Sequence, residues 1–165
     1  MEYFAFQWHI TDSCDQRCEH CYIFSEGHPK LVEMPLGRAQ QVVDDCVEMC
    51  RRMERLPYFY ITGGDPILHS RFWDILALLQ ERNIPFTILG NPFHLTDEVC
   101  RRLKEYGCDK FLIFSNTPPV QWTKNGKGYC DKDNYGSNLK PDCYGKFADY
   151  MADVPKHFES LGYDI

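Results

Sequence analysis

No apolar run in these 165 residues approaches the roughly 20 needed to cross a bilayer. The first ten residues also lack the basic start and small-residue cleavage site of a secretory leader; they are aromatic-rich, with Gln7 and His9 interspersed. Positive charge is not in excess. Against 18 Lys and Arg stand 24 Asp and Glu, a formal net charge of −6, which removes any electrostatic reason to expect nucleic acid or an anionic membrane as a partner. Internal repeats and low-complexity tracts are missing as well. These absences lead to the expectation of a soluble, cytoplasmic protein. What is present, 44% hydrophobic and 15% aromatic residues, is enough to close one compact core.

Cysteine is the residue in surplus. An odd count of nine, without an export leader, points to a reducing compartment and to thiols as metal ligands rather than disulfides. Cys14, Cys18 and Cys21 are clustered, and the other six are scattered. Cys46 and Cys50 fall on the apolar face of an expected helix, where a cysteine acts as a small buried hydrophobe, and Cys100 and Cys108 fit the same role. Cys130 and Cys143 are two thiols at a spacing that does not by itself specify an auxiliary cluster.

Phe4, Phe6, Trp8 and Ile10 alternate with smaller or more polar neighbours, predicting a first strand over residues 3–11. Apolar residues recur at helical spacing over residues 37–55, a helix that Pro57 is expected to end. A second strand follows over residues 58–62, closed by Gly63-Gly64. Ser70 is the expected cap of the next helix, in which Phe72, Ile75, Leu76 and Leu79 share a face. A third strand is predicted over residues 86–89. Thr96 then caps a short acidic-started helix that Gly107 terminates. A fourth strand is predicted over residues 111–114. Residues 117–138, rich in Gly, Pro, Asn, Lys and aromatics, read as one long loop. Pro141 opens a last helix, which Pro155 should kink or break. Alternating strands and helices imply an α/β fold with parallel βα units. Four such units make about half of a (β/α)8 barrel, with chemistry at the C-terminal ends of the strands.

The informative octapeptide is Cys14-Asp15-Gln16-Arg17-Cys18-Glu19-His20-Cys21. Three thiolates on a loop leaving a strand can converge on one soft metal centre. A structural zinc site normally has a fourth ligand, often from a second CxxC or HxxxH pair, and no such pair follows. Three thiolates leave one metal position open, as a reactive centre requires. This CxxxCxxC after the first strand resembles the radical S-adenosylmethionine (radical SAM) superfamily. The resemblance implies that Cys14, Cys18 and Cys21 each bind one iron of a [4Fe–4S] cluster. It also implies that the fourth iron chelates S-adenosylmethionine, whose reductive cleavage gives a 5′-deoxyadenosyl radical for hydrogen abstraction. An external one-electron donor is then a necessary partner.

A second match lies in Ile61-Thr62-Gly63-Gly64-Asp65-Pro66, which resembles that family's GGE sequence with Asp in the Glu position. Glycines let backbone approach a ligand closely, and the Asp65 carboxylate is suited to the methionine ammonium of the cofactor. An ordinary strand-to-helix turn is the plain alternative. Tyr22 stands where the family places an aromatic near adenine, although the commoner position, before the last cysteine, holds His20. Asn91 resembles the family's third-strand segment beside the cofactor, and equally suits a polar turn before Pro92. His9-Ile10-Thr11-Asp12-Ser13-Cys14 resembles the radical SAM enzymes that mature ribosomally made peptides, so a peptide substrate is the expectation.

From about Lys110 the resemblance changes. Phe114-Ser115-Asn116-Thr117-Pro118-Pro119, Thr123-Lys124-Asn125-Gly126, Asn138-Leu139-Lys140-Pro141 and Phe147-Ala148-Asp149-Tyr150 are similar to glycoside hydrolase family 30. That family's two carboxylates would fall beyond Ile165, so hydrolysis is not expected. Trp122, Asn125 and Tyr129 are candidates for a sugar-binding surface. The chain thus reads as a chimera of two barrel pieces in one domain: a radical SAM-like core over residues 1–109, and a glycosidase-like strand, loop and helix over residues 110–165. Three functional expectations follow. They are a radical SAM enzyme or fragment, an inactive chimera with carbohydrate-binding character, and a zinc-bound folding unit.

Overall fold

The computed structural model describes residues 2–17, 21–24, 32–112, 115, 118–128 and 138–165. It divides into two compact units, Met1–Cys108 and Asp109–Ile165.

The first unit is built on a parallel sheet of three strands in the order β1 (Tyr3–Thr11), β2 (Leu56–Gly63), β3 (Phe86–Ile88). The helices α1 (Leu36–Arg52) and α2 (Phe72–Glu81) make the crossovers, and α3 (Asp97–Glu105) follows β3. Strand side chains alternate between faces. Trp8 and Ile10 of β1, with Phe59 and Ile61 of β2, enter one core with Ala39, Val43, Phe72, Ile75, Leu76 and Leu79 from the helices. Phe59 is fully buried between the rings of Phe6 and Trp8, with centroids at 5.3 and 5.1 Å. Its truncation to Ala would cost roughly 3–5 kcal/mol. The opposite face carries Tyr3, Tyr58 and Tyr60 in a row of ring contacts, and the Tyr58 hydroxyl lies 2.6 Å from Thr87 Oγ1.

Three parallel strands and the intervening helices match the α/β expectation. The fourth strand does not form where it is described. Phe111 and Leu112 lie outside any strand, Lys110 makes only an isolated bridge to Asp164, and residues 113 and 114 lie outside the described residues. Two local expectations are also corrected. Helix α1 stops at Arg52, before Pro57, because Glu54 takes a left-handed φ of 54° and Arg55 N–H folds back to Cys50 O at 2.9 Å. Pro57 instead lies inside β2, opposite Phe4. Ser70 does not cap α2, whose N-cap is Arg71, because its hydroxyl and amide both bond the Glu33 carboxylate. Thr96 behaves as expected, accepting Val99 N–H at 3.3 Å, and Gly107 leaves α3 with a φ of +91°.

In the second unit, α4 (Tyr144–Ser160) follows a short 3-10 turn, Pro141–Cys143, and runs through Pro155 without stopping. No residue of α4 is buried, so water can take up the Met151 carbonyl that Pro155 cannot bond. Phe111, Phe158 and Tyr163 form an aromatic cluster, with Phe111 and Phe158 centroids 4.2 Å apart. Residues 118–128 and 138–140 meet through a Thr123–Leu139 bridge, Lys124 N–H to Asn138 O at 2.7 Å and Lys140 N–H to Trp122 O at 2.9 Å. Among the described residues, no helix is long and apolar enough to cross a membrane.

Candidate functional site

In a parallel sheet all C-terminal strand ends point to one edge, and the loops that leave them converge there. The cysteine loop leaves β1, Gly63-Gly64-Asp65 closes β2, and Asn91 follows β3. The base of the cysteine loop is clamped. Asp12 N–H donates to Val32 O and Met34 N–H to Ile10 O, each at 2.9 Å. The buried Asp12 carboxylate adds to this, accepting Val32 N–H at 3.0 Å through Oδ2 and the His9 imidazole at 2.7 Å through Oδ1. His69, also buried, bonds Met34 O through Nε2 at 2.9 Å, fixing the return segment to the loop after β2.

Cys14 and Cys21 are both partly exposed free thiols. Gln16 N–H points at Cys14 Sγ from 3.4 Å. Arg17 bonds the Cys14 and Gln16 carbonyls at 2.8 Å and lies over the Phe24 ring at 4.1 Å, adding positive charge to the same loop. Cys18 lies outside the described residues. Tyr22 opens the 3-10 turn Tyr22–Phe24, and the position of its side chain is likewise outside what the structure describes.

The two glycines have a specific steric role. A Cβ on Gly63, whose φ is +141°, would lie 2.1 Å from Thr11 O, and one on Gly64 would lie 2.3 Å from Ser13 O. Only glycine lets β2 end against the backbone that leads into Cys14. Two short hydrogen bonds seal that approach, Gly64 N–H to Thr11 O and Asp65 N–H to Ser13 O, both 2.7 Å.

Asp65 is 2% exposed, and its Oδ2 has no hydrogen-bond partner. Burial pushes its carboxyl above the ordinary range. The Ile67 amide and the charge of His94 pull it back, nearby Asp15 pushes it further up, and a hydrogen bond from Asn91 again lowers it. Asn91 is fixed in turn, its Oδ1 accepting Phe93 N–H at 3.0 Å. The structure therefore brings Gly63, Gly64, Asp65 and Asn91 together at the β1 loop. It adds two residues the sequence did not single out, Asp15 and His94, whose side chains meet at 2.8 Å. A His three residues after Asn91 was visible, but no local signal pairs it with Asp15.

Elsewhere, Cys50, Cys100 and Cys143 are buried and Cys46 and Cys108 partly so; burial raises the thiol pKa of Cys46, Cys50 and Cys100. Cys130 and Tyr129 lie outside the described residues. Trp122 packs edge-on against Tyr150 at 6.2 Å, and Asn125 Oδ1 accepts Asn138 Nδ2–H at 2.6 Å and Lys127 N–H at 3.0 Å.

Comparison with known proteins gives two family matches. The Radical SAM superfamily matches residues 8–121, and O-Glycosyl hydrolase family 30 matches residues 99–165. The tungsten-containing aldehyde ferredoxin oxidoreductase cofactor-modifying protein of Pyrococcus furiosus is 25% identical over 157 residues, 94% of this chain and 41% of its own. The AdoMet-dependent heme synthase of Nitratidesulfovibrio vulgaris is 23% identical over 111 residues, 67% of this chain and 29% of its own. The mycofactocin maturase of Mycolicibacterium smegmatis is 26% identical over 128 residues, 75% of this chain and 31% of its own. The chain thus spans well under half the length of each of these relatives.

Proposed function

The chain belongs to the radical SAM superfamily, and from that premise we propose that it binds a [4Fe–4S] cluster and S-adenosylmethionine at the C-terminal edge of its sheet. Cys14, Cys18 and Cys21 are the cluster ligands in this reading, and Asp65 is the acceptor for the methionine ammonium. Held there by Cys14, Cys18 and Cys21, with Asp65 placing the methionine end, the cluster and S-adenosylmethionine would supply one-electron reductive chemistry for hydrogen abstraction, the electron coming from an external donor.

The observation that carries the reading is Asp65 Oδ2, a buried carboxylate oxygen without a partner beside the loop that bears Cys14. An orphaned buried acceptor costs free energy unless a donor fills the site. An ammonium group supplies that donor and a compensating charge. Asn91, bonded to Asp65, orients the carboxylate, and the glycine pair sets its distance from the cysteine loop. The free thiols of Cys14 and Cys21, with an amide aimed at Cys14 Sγ, suit iron ligation. Tyr22 is proposed to lie near adenine.

A peptide is the proposed substrate, on the likeness of residues 9–14 to peptide-maturing enzymes, and one relative is named a maturase. An external one-electron donor and a cytoplasmic location belong to the same reading. The glycoside hydrolase match favours a second reading, an inactive chimera with carbohydrate-binding character in residues 110–165. Trp122 is its best ring, although Asn125 is already bonded within the loop.

The test is anaerobic cluster reconstitution followed by dithionite and S-adenosylmethionine, with 5′-deoxyadenosine as readout. The reading expects product that disappears with Cys14→Ala, Cys18→Ala or Cys21→Ala. A Trp122-dependent fluorescence change on adding oligosaccharide, without iron-dependent product, would favour the second reading.

A further inference from the structure

The Asn125 carboxamide ties together the loop of the second unit. Its Oδ1 accepts two donors, Lys127 N–H at 3.0 Å and Asn138 Nδ2–H at 2.6 Å. Asn138 is itself held, since its Nδ2 also reaches Lys127 O at 3.3 Å and its carbonyl accepts Lys124 N–H at 2.7 Å. The bond from Lys127, two positions on, makes an Asx turn, which folds the side-chain carbonyl over the backbone that follows. The residue between is Gly126, exposed and left-handed at a φ of +67°, with nothing within 4 Å of where a Cβ would stand. Its amide nitrogen therefore has no side chain to shield it from Asn125 Cγ or from water.

We propose that Asn125-Gly126 is a self-modification site, at which the folded loop promotes cyclisation and deamidation of Asn125. The Gly126 amide gives its proton to hydroxide, and its nitrogen bonds to Asn125 Cγ. The Cγ–Oδ1 double bond opens to an oxyanion. When that bond reforms, the Cγ–Nδ2 bond breaks, and Nδ2 takes a proton from water and leaves as ammonia, which regenerates the hydroxide. Water then adds to either carbonyl of the resulting succinimide and reopens the ring as aspartate or isoaspartate. Nothing is oxidised or reduced, and water is the only reagent consumed. Lys127 N–H and Asn138 Nδ2–H both aim at Oδ1, the atom on which negative charge develops, as donors do where acyl transfer is accelerated. An isoaspartate product carries an extra main-chain carbon, which lengthens the segment after Thr123 against its bridge to Leu139 and loosens the loop. The reaction uses none of the clustered thiols and no cofactor, so it does not rest on the radical SAM reading.

The test incubates the full chain in mildly alkaline buffer, folded and in guanidinium at the same pH, and follows the peptide containing Asn125 by mass spectrometry. Deamidation is read from the mass gained when NH2 is exchanged for OH, and isoaspartate from fragmentation. The expected result is conversion at Asn125 severalfold faster in the folded chain than in the unfolded one. Folded conversion no faster than unfolded overturns the proposal, because the loop then fails to activate the site. Asn138→Ala removes one donor from Oδ1 and should bring the folded rate down to the unfolded one, with the unfolded rate unchanged. A folded Asn138→Ala chain that converts as fast as the parent also overturns it. Should that variant lose its fold by circular dichroism, the comparison of folded and unfolded parent decides.

Discussion

His94 Nε2 lies 2.8 Å from Asp15 Oδ2, tying the turn after β3 to the loop that carries Cys14 across 79 positions of sequence. About a third of each side chain is exposed, at 32% and 38%. The pair is therefore worth only about 0–1 kcal/mol. His94→Gln should shift the melting temperature by no more than a few degrees. A large thermal destabilisation would show that the pair is structural glue instead.

The glycine pair behaves differently. Gly63→Ala places a methyl 2.1 Å from Thr11 O at a φ of +141°, and Gly64→Ala places one 2.3 Å from Ser13 O. Both obstacles are backbone, so β2 and the cysteine loop must separate. Each substitution should cost roughly 2–4 kcal/mol and impair iron uptake in parallel. Gly107→Ala, with nothing within 4 Å of the added Cβ, pays only for its φ of +91° and should cost about 1–2 kcal/mol. Denaturant midpoints of the three variants check the order, and equal losses would refute the steric account.

Asp65 predicts an opposition between stability and function. Its folded pKa is raised above the ordinary 3.8 by burial, so the folded protein holds that proton more tightly than the unfolded chain does. Its favourable contribution is complete below 3.8 and is lost as pH rises through the raised value, leaving a penalty at neutral pH. Asp65→Asn removes the charge and should melt higher than the parent at pH 7, with the advantage shrinking in acid. The same variant should bind S-adenosylmethionine about 10- to 100-fold more weakly, as loss of a charged hydrogen bond implies. Melting curves across pH test the first half; an Asn variant less stable at pH 7 contradicts it.

Asp12 is the clamp residue. Asp12→Ala removes the carboxylate that Val32 N–H and the His9 imidazole both bond, at 3.0 and 2.7 Å. Val32 is exposed, so water can take up its amide, and the loss is that of one net hydrogen bond, about 0.5–1.5 kcal/mol. Thermal unfolding should register that loss, and reconstituted iron per chain should fall because the base of the cysteine loop is no longer fixed. Full iron content in Asp12→Ala would detach the clamp from cluster binding.

The residues that converge at the sheet edge were legible because each sits directly after a strand. Cys14 follows β1, Asp65 follows β2 and Asn91 follows β3, and parallel pairing carries all three to the same end. What sequence could not supply were partners set by tertiary contact. Ser70 looks like a helix cap until Glu33, 37 residues earlier, takes its hydroxyl. Pro57 looks like a helix stop until left-handed Glu54 ends the helix first. Asp15 and His94 carry no local sign of each other. The fourth strand is read from a short apolar run, and such runs form strands only where a neighbouring edge accepts them; of its described residues, Phe111 instead packs on Phe158 and Tyr163.

The most direct measurement is 5′-deoxyadenosine formed after anaerobic reconstitution with iron and sulfide, then dithionite and S-adenosylmethionine. The account predicts product from the parent chain, none from Cys14→Ala, Cys18→Ala or Cys21→Ala, and a strong reduction with Asp65→Ala. A reconstituted cluster that yields no product, or product indifferent to Asp65, would contradict it.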